Sequence, residues 1–151
     1  MAQMKRITQI FMSEETSANR SFKAARNLEA KLLHEDLSRA VIGAAMEVSS
    51  VIGPGLREKA YERALCIEFA KRNIPFAQQK AFDVIYDGQL VDTLVPDLIV
   101  DHLMVVDTKV VEHFDESHEA QMLTYLQITN LRLAILLNFK HRKLTWKRII
   151  R

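Results

Sequence analysis

The chain has 151 residues, 48% hydrophobic and 26% charged, with a formal net charge of +2. That length gives one domain a proper core and leaves too little for two ordinary ones, and the balance excludes the disordered, collagenous and membrane classes. The opening "MAQMKRITQIFM" carries early positive charge without the apolar stretch and small-residue cleavage site of a secretory signal, so the expected location is the cytoplasm.

Residues 1–35 are polar, contain "SEETSANR" and hold only a weak helical pattern around Phe22 to Leu33. They read as an N-terminal extension, mobile or loosely helical, ahead of a single domain over residues 36–151. Asp36 is placed to cap a helix whose Leu37, Val41, Ala44, Ala45 and Val48 follow the 3.6 period and which ends at Gly53-Pro54-Gly55. A second helix runs from Arg57 to Arg72, with Tyr61, Ala64, Leu65 and Phe69 along one side and Asn73 and Pro75 to stop it. Cys66, the lone cysteine, reads as a small buried hydrophobe on that helix.

The centre changes to alternating polar and apolar residues around Asp87-Gly88, a strong hairpin signal, and "HLMVVDTKVVE" follows a turn near Asp101. Three antiparallel strands in a meander are expected there. Asp115 or Ser117 caps the next helix, which carries His118, Gln121, Met122 and Tyr125 and ends near Asn130. The run "LRLAILLNF" is the mark of a strand buried on both faces and reached by a helical crossover, so it should be parallel to its neighbour. A last strand, "KLTWKRIIR", completes the order that follows the first helix, α-β-β-β-α-β-β: a mixed α/β fold.

In a strand, residues i and i+2 share a face, so Asp107 and Lys109 project together while Thr108 points away. Asp97, from the preceding strand of the meander, pairs close to Asp107. Two converging carboxylates repel when both are ionised, and a divalent cation removes that difficulty. Few hard oxygen ligands, with room for water and phosphate, suit Mg²⁺ or Mn²⁺, with Lys109 orienting water or stabilising charge on the phosphate. The same residues also fit a plain ion pair on a half-exposed sheet face, with Asp97 starting a turn after Pro96. From Phe139 onward there are six basic residues and no acidic one, and Lys140, Lys143, Lys147 and Arg148 are the candidates for nucleic-acid contact. Charge alone favours a solvated edge strand.

The fragments "GPGLREKAYERAL", "VPDLIV", "VVDTKVVE", "HEAQMLTYL" and "LRLAILLNF" together resemble, in order and spacing, the small bacterial and archaeal GxxExxY proteins of the PD-(D/E)xK nuclease superfamily. The resemblance covers Asp36 to Arg151. It implies a restriction-endonuclease-like αβββαβ core, a central mixed sheet flanked by helices. It also implies a metal site of Asp97, Asp107, Glu58 and the backbone carbonyl of Thr108, with Lys109 as the catalytic lysine. Gln121 and Tyr125 look like the Q-x-x-x-Y element beside such sites, and His118 shares roughly their face. Two departures stand out: Asp107 where glutamate is common, and Val95 where an arginine often precedes the "PD" aspartate.

The expected activity is therefore Mg²⁺- or Mn²⁺-dependent hydrolysis of phosphodiester bonds, most naturally in DNA. A homodimer would suit the two strands of a duplex. The alternative is a nuclease-fold module that binds nucleic acid or a protein partner without cutting, because fold does not fix function.

Overall fold

The computed structural model describes residues 2–151, with side chains from Thr16 onward. The chain forms two compact units, Met1–Glu35 and Asp36–Arg151. The first is built on one helix, α1 (Ala2–Leu32). The expectation of a mobile or loosely helical extension falls partly outside the described residues, at Met1 and at the side chains of residues 2–15.

In the second unit α2 (Glu35–Ile52) buries Val41, Ala44, Ala45 and Val48, the stripe expected from the sequence. It begins at Glu35, so Asp36 lies in the first turn rather than at the cap. α3 (Glu58–Lys71) follows the Gly-Pro-Gly loop and turns Tyr61, Leu65, Cys66 and Phe69 inward. Burial pushes the Cys66 thiol up to about 11, which keeps it protonated and inert.

Seven strands follow: β1 (Phe76–Gln78), β2 (Phe82–Tyr86), β3 (Gln89–Leu94), β4 (Leu98–Val100), β5 (Met104–Lys109), β6 (Leu133–Asn138) and β7 (Thr145–Ile150), with α4 (Glu116–Thr129) between β5 and β6. The main sheet has the order β1-β4-β5-β6-β7. β5 and β6 are parallel and the other pairs antiparallel, so the sheet is mixed. β6 is buried along its whole length and parallel to β5, as its apolar run predicts.

The meander is not one sheet. β2 and β3 pair only with each other, through a two-residue turn in which Asp87 and Gly88 both take positive φ. Almost all of β3 is exposed, so it has no apolar face to give to the main core. Pro96, which lacks an N–H, interrupts the chain before β4. The vacant edge beside β4 is taken by β1, three residues that the sequence pattern assigned to no strand.

The core lies on both faces of the sheet. On one face Met122 and Leu126 of α4 pack with Ile99, Val105, Ala134, Leu136 and Ile149. Strand alternation turns Met104, Val106, Ile135 and Leu137 to the other face, which is also fully buried. Among the described residues no helix is long and apolar enough to cross a membrane.

Candidate active site

The Gly-Pro-Gly loop delivers Glu58. Gly55 sits at φ +115°, where a side chain would be strained. The hydroxyl of fully buried Tyr61 donates to the Gly53 carbonyl at 2.7 Å and accepts from the Leu56 N–H at 3.2 Å. Its ring stacks on Phe139 at 4.6 Å. Tyr61 therefore closes the loop from inside the core, which is a physical reason for a glycine and a tyrosine to flank Glu58 at this spacing. Glu58 opens α3, and its Oε1 accepts from the Val110 N–H at 3.2 Å, tying the helix start to the chain just past Lys109.

Asp97 and Asp107 do converge. Asp97 Oδ2 accepts from the Thr108 N–H at 3.0 Å and from the Thr108 hydroxyl at 3.1 Å. Burial, and then the charge of Asp107, push the Asp97 carboxyl up to about 7. Asp107 is 3% exposed, and its Oδ2 lies 2.8 Å from Lys109 Nζ. The contact is an ion pair, and the oxygen it meets is shut off from water.

Burial pulls Lys109 down, but contact with Asp107 and the charges of Asp107, Glu58 and Asp97 outweigh it. The net shift is upward, and Lys109 is held as an ammonium. Nζ also donates to Gln121 Oε1 at 3.1 Å, and Gln121 Nε2 donates to the Tyr125 hydroxyl at 3.1 Å. Burial, then Asp107 and Asp97, raise the Tyr125 phenol. The two α4 residues singled out in the sequence thus meet the lysine in series.

His118 does not join them through any contact among the described residues. Its Nδ1 accepts from the Asp115 N–H at 3.0 Å, while Asp115 Oδ1 accepts from the N–H groups of Ser117 and His118. That is a capping box, and His118 serves the start of α4. The four basic candidates also separate. Lys147 is paired with Glu119 and Lys140 with Glu112, Arg148 is half-buried, and Lys143 is exposed in the turn between β6 and β7.

Two residues do not stand out in the sequence. Glu62 is 1% exposed, one helical turn after Glu58. It accepts from Lys59 Nζ at 2.8 Å, Gln78 Nε2 at 2.8 Å and Gln79 Nε2 at 2.7 Å. Burial pushes its carboxyl up, but these donors and the Asp97 carboxyl outweigh that and lower it. Gln79, at φ +53°, also reaches Asp97 Oδ1 at 3.4 Å, and its N–H donates to the Asp97 carbonyl at 2.9 Å. Glu62 is therefore the outer support of Asp97. The available signal was a glutamate on the buried face shared by Tyr61 and Leu65. Asn138 is the second: its side chain exchanges hydrogen bonds with the Val111 N–H and carbonyl at 3.2 and 2.8 Å, fixing the exit of β5.

Among the described residues no three His, Cys, Asp or Glu side chains form a ready-made metal cage. The donor set nevertheless fits a hard divalent cation. The charge of Asp107 raises the cost of ionising Asp97, and a buried Asp107 oxygen faces the site with the Lys109 ammonium beside it. Thr108 lies beyond the last β4–β5 pair, Leu98 with Val106, and its N–H faces Asp97; its carbonyl, on the same strand edge, faces that way too.

A family model described as the PD-(D/E)XK nuclease superfamily matches residues 35–149. The crystal structure of SSO0001 is similar with a TM-score of 0.50 at 13% sequence identity, covering 82% of this chain and 61% of that one. The chain thus spans less than two thirds of that protein's length, and the likeness speaks for the fold alone. No curated protein matches the chain. With the family model spanning the chain from the start of α2 into β7, the chain belongs to the PD-(D/E)XK nuclease superfamily.

Proposed function

We propose that the protein is a nuclease that hydrolyses phosphodiester bonds of DNA with Mg²⁺ or Mn²⁺, in the manner of the GxxExxY branch of its superfamily, and that residues 36–151 carry the activity as one domain. The observation that carries this reading is the juxtaposition of Asp97, Asp107 and a charged Lys109 at the end of β5. Asp97, Asp107 and the Thr108 carbonyl would hold the cation, with Glu58 at the edge of the site. When bound there, a divalent cation would supply Lewis acidity toward the phosphoryl group and the attacking water.

The chain's own residues do the rest. Lys109, as an ammonium, is a donor and not a base: it hydrogen-bonds a non-bridging phosphate oxygen and stabilises the charge that grows there as the water oxygen bonds to phosphorus, giving its proton to solvent, and the sugar oxygen leaves and takes a proton from solvent. Gln121 fixes the direction of Nζ, and Tyr125 fixes Gln121. Glu58 holds the chain after Lys109 through the Val110 N–H.

Cleavage of supercoiled plasmid, linear duplex, single-stranded DNA and RNA with Mg²⁺ or Mn²⁺ tests the proposal. The parent protein should cut and the Lys109→Ala variant should fall by about a hundredfold or more. Equal silence of both, with DNA binding retained, would move the protein to the non-cutting binding module.

A further inference from the structure

A groove of about 920 Å³ opens between the C-terminal end of α2 and the turn from β6 to β7. Met46, Ser49 and Ile52 line one wall, and Arg142, Lys143 and Trp146 the other. Its size lies within the range of roughly 300–1,000 Å³ typical of ligand clefts. No acidic residue lines it, and neither Arg142 nor Lys143 is in an ion pair among the described residues. Their neighbours Lys140 and Lys147 are by contrast already paired with glutamates. The groove therefore holds two unsatisfied cations beside an indole that is 40% exposed.

Trp146 pairs with Leu137 and so lies on the sheet face opposite Asp107 and Lys109, but the chain links both walls of the groove to the candidate active site. Gly53 and Pro54, at one end of the groove, belong to the loop that Tyr61 closes just ahead of Glu58. On the other wall, Phe139 donates its N–H to the Lys109 carbonyl at 2.9 Å, three residues before Arg142. Each wall is thus joined through the chain to one of the two segments that bear Glu58 and Lys109.

We propose that this groove receives an unpaired stretch of the nucleic-acid strand, with Arg142 and Lys143 on its phosphates and Trp146 stacked on a base. The inference rests on the nuclease reading and narrows its substrate. Base faces inside a duplex are covered by their neighbours, so an indole can stack only where the strand is single, frayed or branched. The hydroxyls of Ser49 and Ser50, on the groove's α2 wall, supply acceptors for base amino groups.

Trp146 is the chain's sole tryptophan, so its emission reports on the groove alone. The full chain in EDTA, which prevents cutting, is titrated with an oligothymidine strand and with a blunt duplex of equal length. The single strand should quench the emission to saturation and bind about tenfold more tightly than the duplex. The paired substitution Arg142→Ala and Lys143→Ala should weaken binding and lower the salt slope by about 0.7 for each phosphate no longer neutralised. Trp146→Ala, followed by anisotropy of a labelled strand, should weaken it by about tenfold.

Absence of quenching, while Lys109-dependent cleavage persists, would overturn the groove assignment and leave the nuclease standing. Quenching without cleavage under any metal would keep the groove as a strand site and remove the nuclease reading. Equal affinity for the duplex would overturn the claim of an unpaired strand. A change of emission with protein concentration alone would mean that a second copy of the chain fills the groove, and would overturn the proposal.

Discussion

Two antiparallel pairs in this chain carry aspartates, and they could hardly behave more differently. The β2–β3 hairpin holds Asp83, Asp87 and Asp92 in solvent, where Asp92 accepts from the neighbouring Thr93 N–H and Asp87 makes the turn. At the β4–β5 end, Asp97 and Asp107 share a buried corner with Lys109 and Glu62. The residue type is the same; burial and convergence make the difference. A carboxylate forced beside another out of water becomes a group that a proton or a cation must neutralise.

The contrast can be broken most sharply by removing a carboxylate from each place. Asp107→Ala should abolish metal-dependent cleavage, a fall of about a thousandfold or more by loss of a ligand, whereas Asp92→Ala should leave the rate within a factor of two. Cleavage assays of the two variants side by side check this. If Asp92→Ala were equally damaging, burial would not be the deciding feature.

Glu62→Ala comes next. It strands the side-chain donors of Gln78 and Gln79 and the Lys59 ammonium, and should cost about 2 kcal/mol in urea unfolding. It should also weaken Mn²⁺ binding, because Asp97 loses the Gln79 support; Glu62→Gln, which keeps one acceptor, should recover part of both. A loss of stability with metal affinity unchanged would make Glu62 purely structural.

The pH dependence of stability sharpens the comparison further. Asp97 would ordinarily titrate near 3.8 and is pushed up to about 7 in the fold. The folded chain therefore keeps a proton that the unfolded chain releases. This contribution to stability is full below about pH 3.8, wanes as pH rises and is gone above about 7. The metal-free protein should thus lose stability between pH 5 and pH 8, and Asp97→Asn should flatten that loss, as read by thermal unfolding.

The smallest effect is expected at Tyr61→Phe. The ring and its stacking on Phe139 remain, but the Gly53 carbonyl and the Leu56 N–H lose their partner, at about 1 kcal/mol. Cleavage should slow modestly, because the loop that presents Glu58 is no longer closed.

Much of the candidate site was legible because it is local. Asp107 and Lys109 follow from strand parity, Asp97 from its position before a short antiparallel neighbour, and Gln121 with Tyr125 from one helical turn. The glycine and tyrosine around Glu58 were visible as a pattern, and the structure supplies the reason for it. What stayed hidden depends on distant partners. Glu62 acquires meaning only from Gln78 and Gln79, on and just after a three-residue strand too short to announce itself by alternation. The hairpin was found, but that it leaves the main sheet depends on which edge β1 occupies. His118 sits in the expected helix, and its ring was claimed by a backbone N–H that the sequence could not choose over the site. Lys147 faces Glu119 across elements 28 residues apart in the chain, so counting basic residues overstated the free positive charge.

The central claim is that Asp97 and Asp107 form a cation site. Calorimetric titration of Mn²⁺ into the metal-free protein and into Asp97→Ala, each at pH 6 and pH 8, addresses it most directly. The account predicts binding by the parent that tightens between pH 6 and pH 8, as the proton leaves Asp97, and none by the variant. Binding of equal strength in both proteins, or none in the parent at pH 8, would contradict it.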